Sequence, residues 1–378
     1  MPSRKPILAT MPGPDPLWNT YVEDYLPPNA GTPRDYFNLL KLSKDRTILI
    51  LNGSVGRRQL YRDLIFAIIL KLAGKPPPIL MQDATWEPGS EALEAEFPFL
   101  KKLIPKLARF AISALDGPHM KYAVLSTSEV DTFPKAWGVD PHRVVFQPFP
   151  NTLHGYRNMP TRDDGYLFSG GNSLRNYPLL EAALEGTDIP TQIATRWKPA
   201  KRLAHVKVGP TSHEDFMTLL ANSRAVVVPL RQSVRSAGQQ SYLNAMGLGK
   251  PVIVTDTPGV RDYIIDGVTG VIVSSDPDMM RAAIVHVMDP ANAEFYAEMG
   301  RRARQDVFDR FTEEHFRHGL LFHAGVISAE EFEKDKKPGS ASSWVKSTPV
   351  PGAAVRQASG STVLGEAEAL IGKSRFKP

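Results

Sequence analysis

The sequence predicts an α/β protein made of two Rossmann-like, doubly wound domains, and three observations carry that prediction. Short apolar runs alternate with helical patterns twice along the chain, first from about residue 47 and again from about residue 165. Between the two series lies Gln147–Asp164 (QPFPNTLHGYRNMPTRDD), dense in proline and polar residues and without a sustained period. A length of 378 residues at 42% hydrophobic content suits two buried cores better than one.

In the first series, Thr47–Leu51 (TILIL), Pro78–Met81 (PILM) and Tyr122–Leu125 (YAVL) read as parallel strands. Such strands are covered on both faces and so are continuously apolar. Leu60–Leu72 reads as a helix, and its most apolar stretch, Leu64–Leu70 (LIFAIIL), falls far short of the roughly 20 residues that span a bilayer. In the second series Gly165–Ser169, Pro190–Ala194, Val206–Val208, Ala225–Pro229, Pro251–Thr255 and Gly270–Val273 read as strands. Helical patterns follow at Met279–Met288, Ala291–Arg304 and Thr312–Leu321, with Thr312 placed to cap the last ahead of Glu313 and Glu314. From Lys334 the chain is rich in Ser, Pro, Gly, Ala and Lys, a composition with little to bury, although Gly365–Gly372 suits a short helix. The expected organisation is a first domain over 1–148, a hinge over 149–164, a second domain over 165–310, a C-terminal helix over 311–332 able to return to the first domain, and a flexible tail over 333–378.

The chain has no cysteine, which excludes a disulfide framework, thiol catalysis and Cys-ligated zinc, and fits a reducing compartment. Met1–Thr10 carries Arg4 and Lys5 but no apolar run of signal-peptide length, so a cytoplasmic location is expected. A net charge of +5 fits anionic partners: nucleic acid, a membrane surface or a phosphorylated substrate. No RNP, helix-turn-helix or zinc pattern supports nucleic acid.

The most informative segment is Ser236–Asp262, SAGQQSYLNAMGLGKPVIVTDTPGVRD. A glycine turn at Gly238 opens a short helix whose Tyr242, Leu243 and Met246 can pack inward, and Gly247 and Gly249 end it before the strand. Amides at a helix start are unpaired and sit at the positive end of the dipole, so Gly238, Gln239 and Gln240 suit a diphosphate. Generic glycines and an apolar strand are common to any Rossmann-like βα unit. The ordered set Leu243-Asn244-Ala245-Met246, Gly249-Lys250-Pro251-Val252-Ile253 and Pro258-Gly259-Val260-Arg261-Asp262 goes further. It resembles the donor-nucleotide domain of GT-B glycosyltransferases similar to retaining family 4 (glycosyl transferases group 1). There a helix ending in LEAM precedes a glycine, a GKPVI strand, a GG-type turn and an acidic residue. Asp266–Val273 (DGVTGVIV) resembles the DG-x-x-G turn of the same family, and the matches cover about Gly165–Val273. The resemblance implies two domains facing across a cleft, the first on the acceptor side and the second holding a nucleotide-sugar donor, with Asp262 in the donor site.

The family usually places two glutamates eight residues apart, one toward the donor sugar and one toward the ribose. Here those places hold Ser236 and Asn244. The Asn244 amide can bond ribose hydroxyls, less strongly than a carboxylate. Ser236-Ala237-Gly238-Gln239-Gln240 resembles a variant in which a Gly-Gln pair opens the helix, which favours a divergent active enzyme over a dead one.

A second segment, Phe168–Leu180 (FSGGNSLRNYPLL), follows the first strand of this domain. Gly170 and Gly171 permit close backbone approach, and Arg175 offers a bidentate fork to phosphate oxygens. The segment resembles the family's glycine-plus-basic loop, with Asn176 where a variant has aspartate. Glycosyl transfer needs the departing diphosphate stabilised, and Arg175 is the expected cation. The bland alternative is an arginine capping a surface loop. Arg235 is close enough in sequence to Gly238 to assist, whereas Arg231 reads as a solvated charge.

The first domain is less legible. Ile7–Gly13 (ILATMPG) is a faint echo of the family's glycine-rich loop, and acceptor contacts have no assignment. Asp83, after the PILM run, stands where the family often has a histidine or aspartate facing the donor sugar; orienting that sugar and capping a turn are equal alternatives. Leu100–Phe110 (LKKLIPKLARF) combines basic and apolar residues, with Pro105 counting against a continuous helix. It reads either as a solvated basic face over the core or as a peripheral contact at the inner membrane face. Asp276-Pro277-Asp278 matches a DxD pattern but precedes a helix and reads as a cap, so no metal or other cofactor is expected. His315, His318 and His323 read as a surface set. Two functions fit: transfer of a hexose from a nucleotide diphosphate sugar to a glycan, lipid or small-molecule acceptor, or non-catalytic binding of a nucleotide sugar or glycan.

Overall fold

The computed structural model describes residues 5–27, 30–53, 61–74, 76–84, 86–87 and 103–334. The tail from residue 335 on, with its candidate helix at Gly365–Gly372, and residues 100–102 of the basic segment lie outside the described residues. The rest forms two six-stranded sheets, all parallel, as the two series of apolar runs predict.

The first half runs β1 (Ile7–Ala9), α1 (Pro16–Tyr21), β2 (Val22–Asp24), α2 (Pro33–Ser43), β3 (Ile48–Asn52), α3 (Arg62–Leu72), β4 (Ile79–Gln82), α4 (Ile104–Leu115), β5 (Met120–Val124), α5 (Thr127–Trp137) and β6 (Val144–Phe146). Its strands are ordered β2-β1-β3-β4-β5-β6. Side chains alternate across a strand, and β3 shows the consequence. Leu49 and Leu51 pack with Phe66, Tyr122, Phe133 and Trp137 on one face, while Ile50 packs with Trp18, Leu320 and Leu321 on the other.

The second half runs β7 (Leu167–Gly170), α6 (Tyr177–Leu184), β8 (Thr191–Ala194), β9 (Val206–Gly209), α7 (His213–Asn222), β10 (Ala225–Val228), α8 (Gln239–Gly247), β11 (Val252–Thr255), α9 (Val260–Tyr263), β12 (Val271–Val273), α10 (Pro277–Met288) and α11 (Ala293–Arg310). The order β12-β11-β10-β7-β8-β9 puts the reversal of winding between β7 and β10. In open α/β sheets the crevice that receives ligands lies at the C-terminal strand ends at such a reversal.

The chain then returns to the first half. Thr312 caps α12 (Glu313–His323), its side chain accepting from the His315 amide, and Phe316, Leu320 and Leu321 pack against β1, β3 and β4. Each such burial contributes on the order of 2 kcal/mol before ordering costs. This packing corrects the expectation of a surface histidine set. His318 is buried against Asp15, and His323 Nε2 lies 3.1 Å from the Phe146 carbonyl, where burial drives its pKa down to about 4. α13 (Ala329–Lys334) ends the described chain.

Pro105 does not interrupt α4, because it sits in the first turn, where its missing N–H has no intrahelical partner to lose. The outward surface of α4 is apolar as well as basic, with Leu103 45%, Leu107 54% and Phe110 73% exposed. Among the described residues no helix is long and apolar enough to cross a membrane.

The segment between the halves is tied down at several points. Lys250 Nζ donates to the carbonyls of Arg162 and Ser223, both at 2.8 Å, and Asn151 donates backbone and side-chain N–H groups to the Phe311 carbonyl, both at 2.8 Å. Helix α8 is held from behind by α11. A Cβ on Gly300 would stand 2.0 Å from the Gly249 carbonyl oxygen, so only glycine permits this approach. Gly300→Ala should therefore lower stability by about 1–3 kcal/mol, the usual cost of overpacking, in urea unfolding; an unchanged midpoint would show that the two segments are not in contact.

Candidate functional site

The site is built where the loops after β7 and β10 cross. β7 ends in Gly170, where a Cβ would stand 2.3 Å from the Phe216 ring; Gly171 follows at φ +102°. The loop then folds over the end of β10. The Arg231 amide donates to the Leu174 carbonyl and the Asn176 amide to the Pro229 carbonyl, each at 2.9 Å, and Arg175 pairs as an isolated antiparallel bridge with Leu230. The Asn176 side chain is spent as the N-cap of α6, accepting from the Leu179 amide at 3.3 Å.

This frame aims Arg175 at α8. Its Nη2 donates to Ser241 Oγ at 2.6 Å, Nη1 to the Ser173 carbonyl at 2.7 Å and Nε to the Gly170 carbonyl at 3.1 Å. Every partner is neutral, and among the described residues no carboxylate pairs with it. Burial pushes the guanidinium pKa down, the nearby Tyr177 and Tyr242 hydroxyls act upward, and Arg235 adds to the fall. A guanidinium keeps its charge in proteins, so among the described residues this loop holds a positive charge with no carboxylate to offset it. Beside it α8 opens on Gly238 at φ +87° with no side-chain cap, which presents its first-turn amides to the same place. A guanidinium and a bare helix start in contact make an anion site, with charge and directed donors together.

Arg235 belongs to this group but shares its charge. Nη2 donates to Ser173 Oγ at 3.0 Å, while Nε lies 3.5 Å from Glu87 Oε1 in the other half. Arg231 is exposed.

The other predicted residues lie along the seam between the halves. Ser236 Oγ donates to Glu129 Oε2 at 2.6 Å, and Gln239 Nε2 donates to Ser236 Oγ at 2.6 Å. Asp262 accepts from the Thr127 amide at 2.9 Å and the Thr127 hydroxyl at 2.7 Å, so it caps α5 from the opposite half. Burial raises its pKa and the Thr127 bonds oppose the rise. Asn244 Oδ1 accepts from the Thr152 amide at 2.8 Å and its Nδ2 donates to Thr152 Oγ1 at 3.0 Å, while Gln240 Nε2 reaches the same oxygen at 3.1 Å. Both amide atoms of Asn244 thus hold the connecting segment. Asp83 follows β4 at φ +54°, a left-handed conformation that aspartate tolerates better than most residues; burial raises the pKa of Tyr263, and the charges of Asp262, Glu129 and Asp83 add to the rise. A cavity of about 730 Å³ opens here between Thr127 and Ser128 of one half and Gln232, Asp256, Arg261 and Asp262 of the other. A second cavity, about 520 Å³ between Trp197, Leu203 and Lys207, shares no residue with the site.

Sequence reasoning missed Glu129, Thr127, Thr152 and Tyr263. The Tyr263 hydroxyl accepts from the Phe149 amide at 2.9 Å and donates to the Leu125 carbonyl. The only local signal was the Ser126–Glu129 capping pattern before an apolar run, which announces a helix start and nothing more. As for metal donors, Asp276 caps α10, accepting from the Asp278 and Met279 amides. Asp15, Glu314 and His318 bring ligand atoms within 4.8 Å of one another, but Asp15 Oδ1 already accepts from the Trp18 amide at 2.7 Å.

Residues 186–289 match the family model described as glycosyl transferases group 1. That stretch contains α8 and the loops around it but not Arg175. No curated protein matches the chain in sequence. Among solved structures, HepE of Anabaena in complex with UDP and glucose superposes with a TM-score of 0.58 at 11% identity, over 86% of this chain and 100% of that one. Sucrose-phosphate synthase from Thermosynechococcus elongatus superposes with a TM-score of 0.57 at 14% identity, over 76% of each chain. A glycosyltransferase from Rickettsia africae gives 0.52 at 12% identity, over 89% of this chain and 91% of that one. These likenesses establish the fold: the chain has the GT-B architecture that the resemblance implied.

If the Arg175 loop and α8 form the anion site, Arg175→Ala should weaken binding of inorganic pyrophosphate by about tenfold or more in titration calorimetry at low salt. Equal affinity in the variant would place the anion elsewhere.

Proposed function

We propose that this GT-B protein is a glycosyltransferase that moves a hexose from a nucleotide diphosphate sugar to a glycan, lipid or small-molecule acceptor, with retention at the anomeric carbon. One observation carries the reading: a guanidinium that has no carboxylate partner among the described residues and is bonded to the first turn of a helix without a side-chain cap, at the reversal point of a parallel sheet. Negative charge develops on the diphosphate as the glycosidic bond to the donor breaks. A preorganised cation and helix amides are worth most against charge that appears only then. Arg175 and the amides of Gln239 to Ser241 supply both, so the departing group needs no metal ion in this reading. Arg235 supports the same charge from the next loop. In this reading Asp83 of the first half orients the sugar. The match of residues 186–289 to group 1 glycosyl transferases supports the reaction class, and the UDP and glucose in HepE make UDP-glucose the first donor to try.

The second reading is a binding module without turnover. The engagement of Asn244 by Thr152 and the burial of Ser236 favour it, since neither reaches out to a ligand in this arrangement. Labelled UDP-, GDP- and TDP-sugars separate the two. We expect release of nucleotide diphosphate from at least one donor, faster with acceptor pools added and about a hundredfold slower in Arg175→Ala. Saturable donor binding with no release under any condition would sink the enzyme reading in favour of the module.

The exposed surface of α4 supports a peripheral contact with an anionic membrane. Leu103, Leu107 and Phe110 offer apolar area, and Lys106 and Arg109 lie exposed among them. Flotation with phosphatidylglycerol vesicles should recover the protein, and Leu107→Ser with Phe110→Ser should remove most of that recovery. Equal recovery of the double variant would rule this surface out.

A further inference from the structure

The seam between the halves contains a carboxylate that the proposed chemistry does not use. Glu129 lies in the first turn of α5, in the first half, and is only 2% exposed. Among the described residues it forms no salt bridge, and it accepts from the hydroxyls of Ser126 and Ser236 and from the Ser236 backbone amide. Ser126 Oγ donates to Oε2 at 2.7 Å and Ser236 Oγ donates to the same oxygen at 2.6 Å. An ionised carboxylate only accepts, so the direction of the chain is fixed. Ser236 spends its single proton on Glu129, and its oxygen is then free to accept from Gln239 Nε2 at 2.6 Å. Gln239 is the first residue of α8. Ser236 is 1% and Gln239 5% exposed, so the chain is sealed from water. The contact is close as well as polar: a Cβ on Gly259 would stand 2.7 Å from the Cβ atoms of both Ser126 and Ser236. A single carboxylate of the first half is thereby wired, through two atoms of the second, to the helix start beside Arg175.

We propose that Glu129 is a positioning residue of the donor site contributed by the opposite half, fixing the start of α8 through Ser236 and Gln239. This rests on the donor-site reading above, since it assigns α8 the diphosphate. Its consequence is that the phosphate-binding end of α8 takes its final position only when the two halves are closed. Burial raises the Glu129 pKa, and the bonds from Ser236 and Ser126 and the charge of Arg235 oppose the rise. Arg235, Tyr242 and Tyr263 are the other titratable groups that act on or feel this carboxylate. Protonation leaves a carbonyl oxygen that still accepts from both serines, so donor affinity should change little as pH falls.

The test is titration calorimetry of the full chain with UDP-glucose, alongside steady-state kinetics where turnover is found. Glu129→Ala should weaken UDP-glucose about tenfold and raise its KM while leaving kcat within about threefold. Glu129→Gln, which keeps an acceptor oxygen for the serines, should restore affinity to within about threefold of the parent. Ser236→Ala breaks the same chain from the other side, so Glu129→Ala with Ser236→Ala should lose no more than either alone. Ser236→Ala alone, which breaks the same chain with Glu129 in place, should weaken UDP-glucose to a similar extent and keeps the test intact if Glu129→Ala folds poorly. Additive losses, or a Glu129→Ala protein that binds UDP-glucose as the parent does, would overturn the proposal and leave the donor site standing. A parent protein that binds no sugar nucleotide would instead overturn the donor-site reading, and this inference with it.

Discussion

The bond from Arg175 to Ser241 is the interaction on which the rest of the site depends. It joins two loops that leave different strands, and it does so at the reversal between β7 and β10, where parallel winding leaves a crevice. The glycines around it follow from the same closeness. Gly170 leaves room for Phe216, and Gly171, at positive φ, leaves room for the guanidinium itself. The neutrality of every Arg175 partner then matters more than their number. A salt bridge would have silenced the charge, whereas two carbonyls and a hydroxyl hold the side chain in place and leave its field for a ligand.

The second constraint is the seam. α5 begins on Ser126 with its amides facing the other half, and Asp262 rather than a residue of its own half completes the cap at Thr127. Glu129 and Ser236, one turn away, extend that contact to α8, and Tyr263 ties the backbone of residue 125 to that of residue 149. The halves of this fold therefore meet through hydrogen-bonded groups that are individually modest and that need each other's geometry. Such a seam can open and reclose without exposing a large apolar surface, which is what a cleft that admits and releases a ligand requires.

Much of this was legible in the sequence, and the reasons differ by element. Strands of the second half announce themselves where they are continuous apolar runs bounded by turn residues, as at Ala225–Val228, Val252–Thr255 and Val271–Val273. β1, β2 and β6 do not: each has three residues, and two of the three in Val22–Asp24 are charged, as suits the sheet edge it forms. The glycine turn before α8 and the Arg175 loop were readable from local chemistry. The partners across the seam were not, because Ser236 and Glu129 stand 107 residues apart, Asp262 and Thr127 135, and Asn244 and Thr152 92. No local period encodes such pairs; they exist only once both sheets are formed. The same limit explains the histidines, which look like a surface set until α12 is laid against β1 and β3.

The central claim is that a diphosphate is held between Arg175 and the start of α8. The most direct measurement is a crystal structure of the protein with a bound UDP-sugar. The account predicts diphosphate oxygens within hydrogen-bonding distance of the Arg175 guanidinium and of the amides at Gln239 to Ser241. A diphosphate bound elsewhere, with the Arg175 guanidinium still spent on Ser241, Ser173 and Gly170, would contradict it.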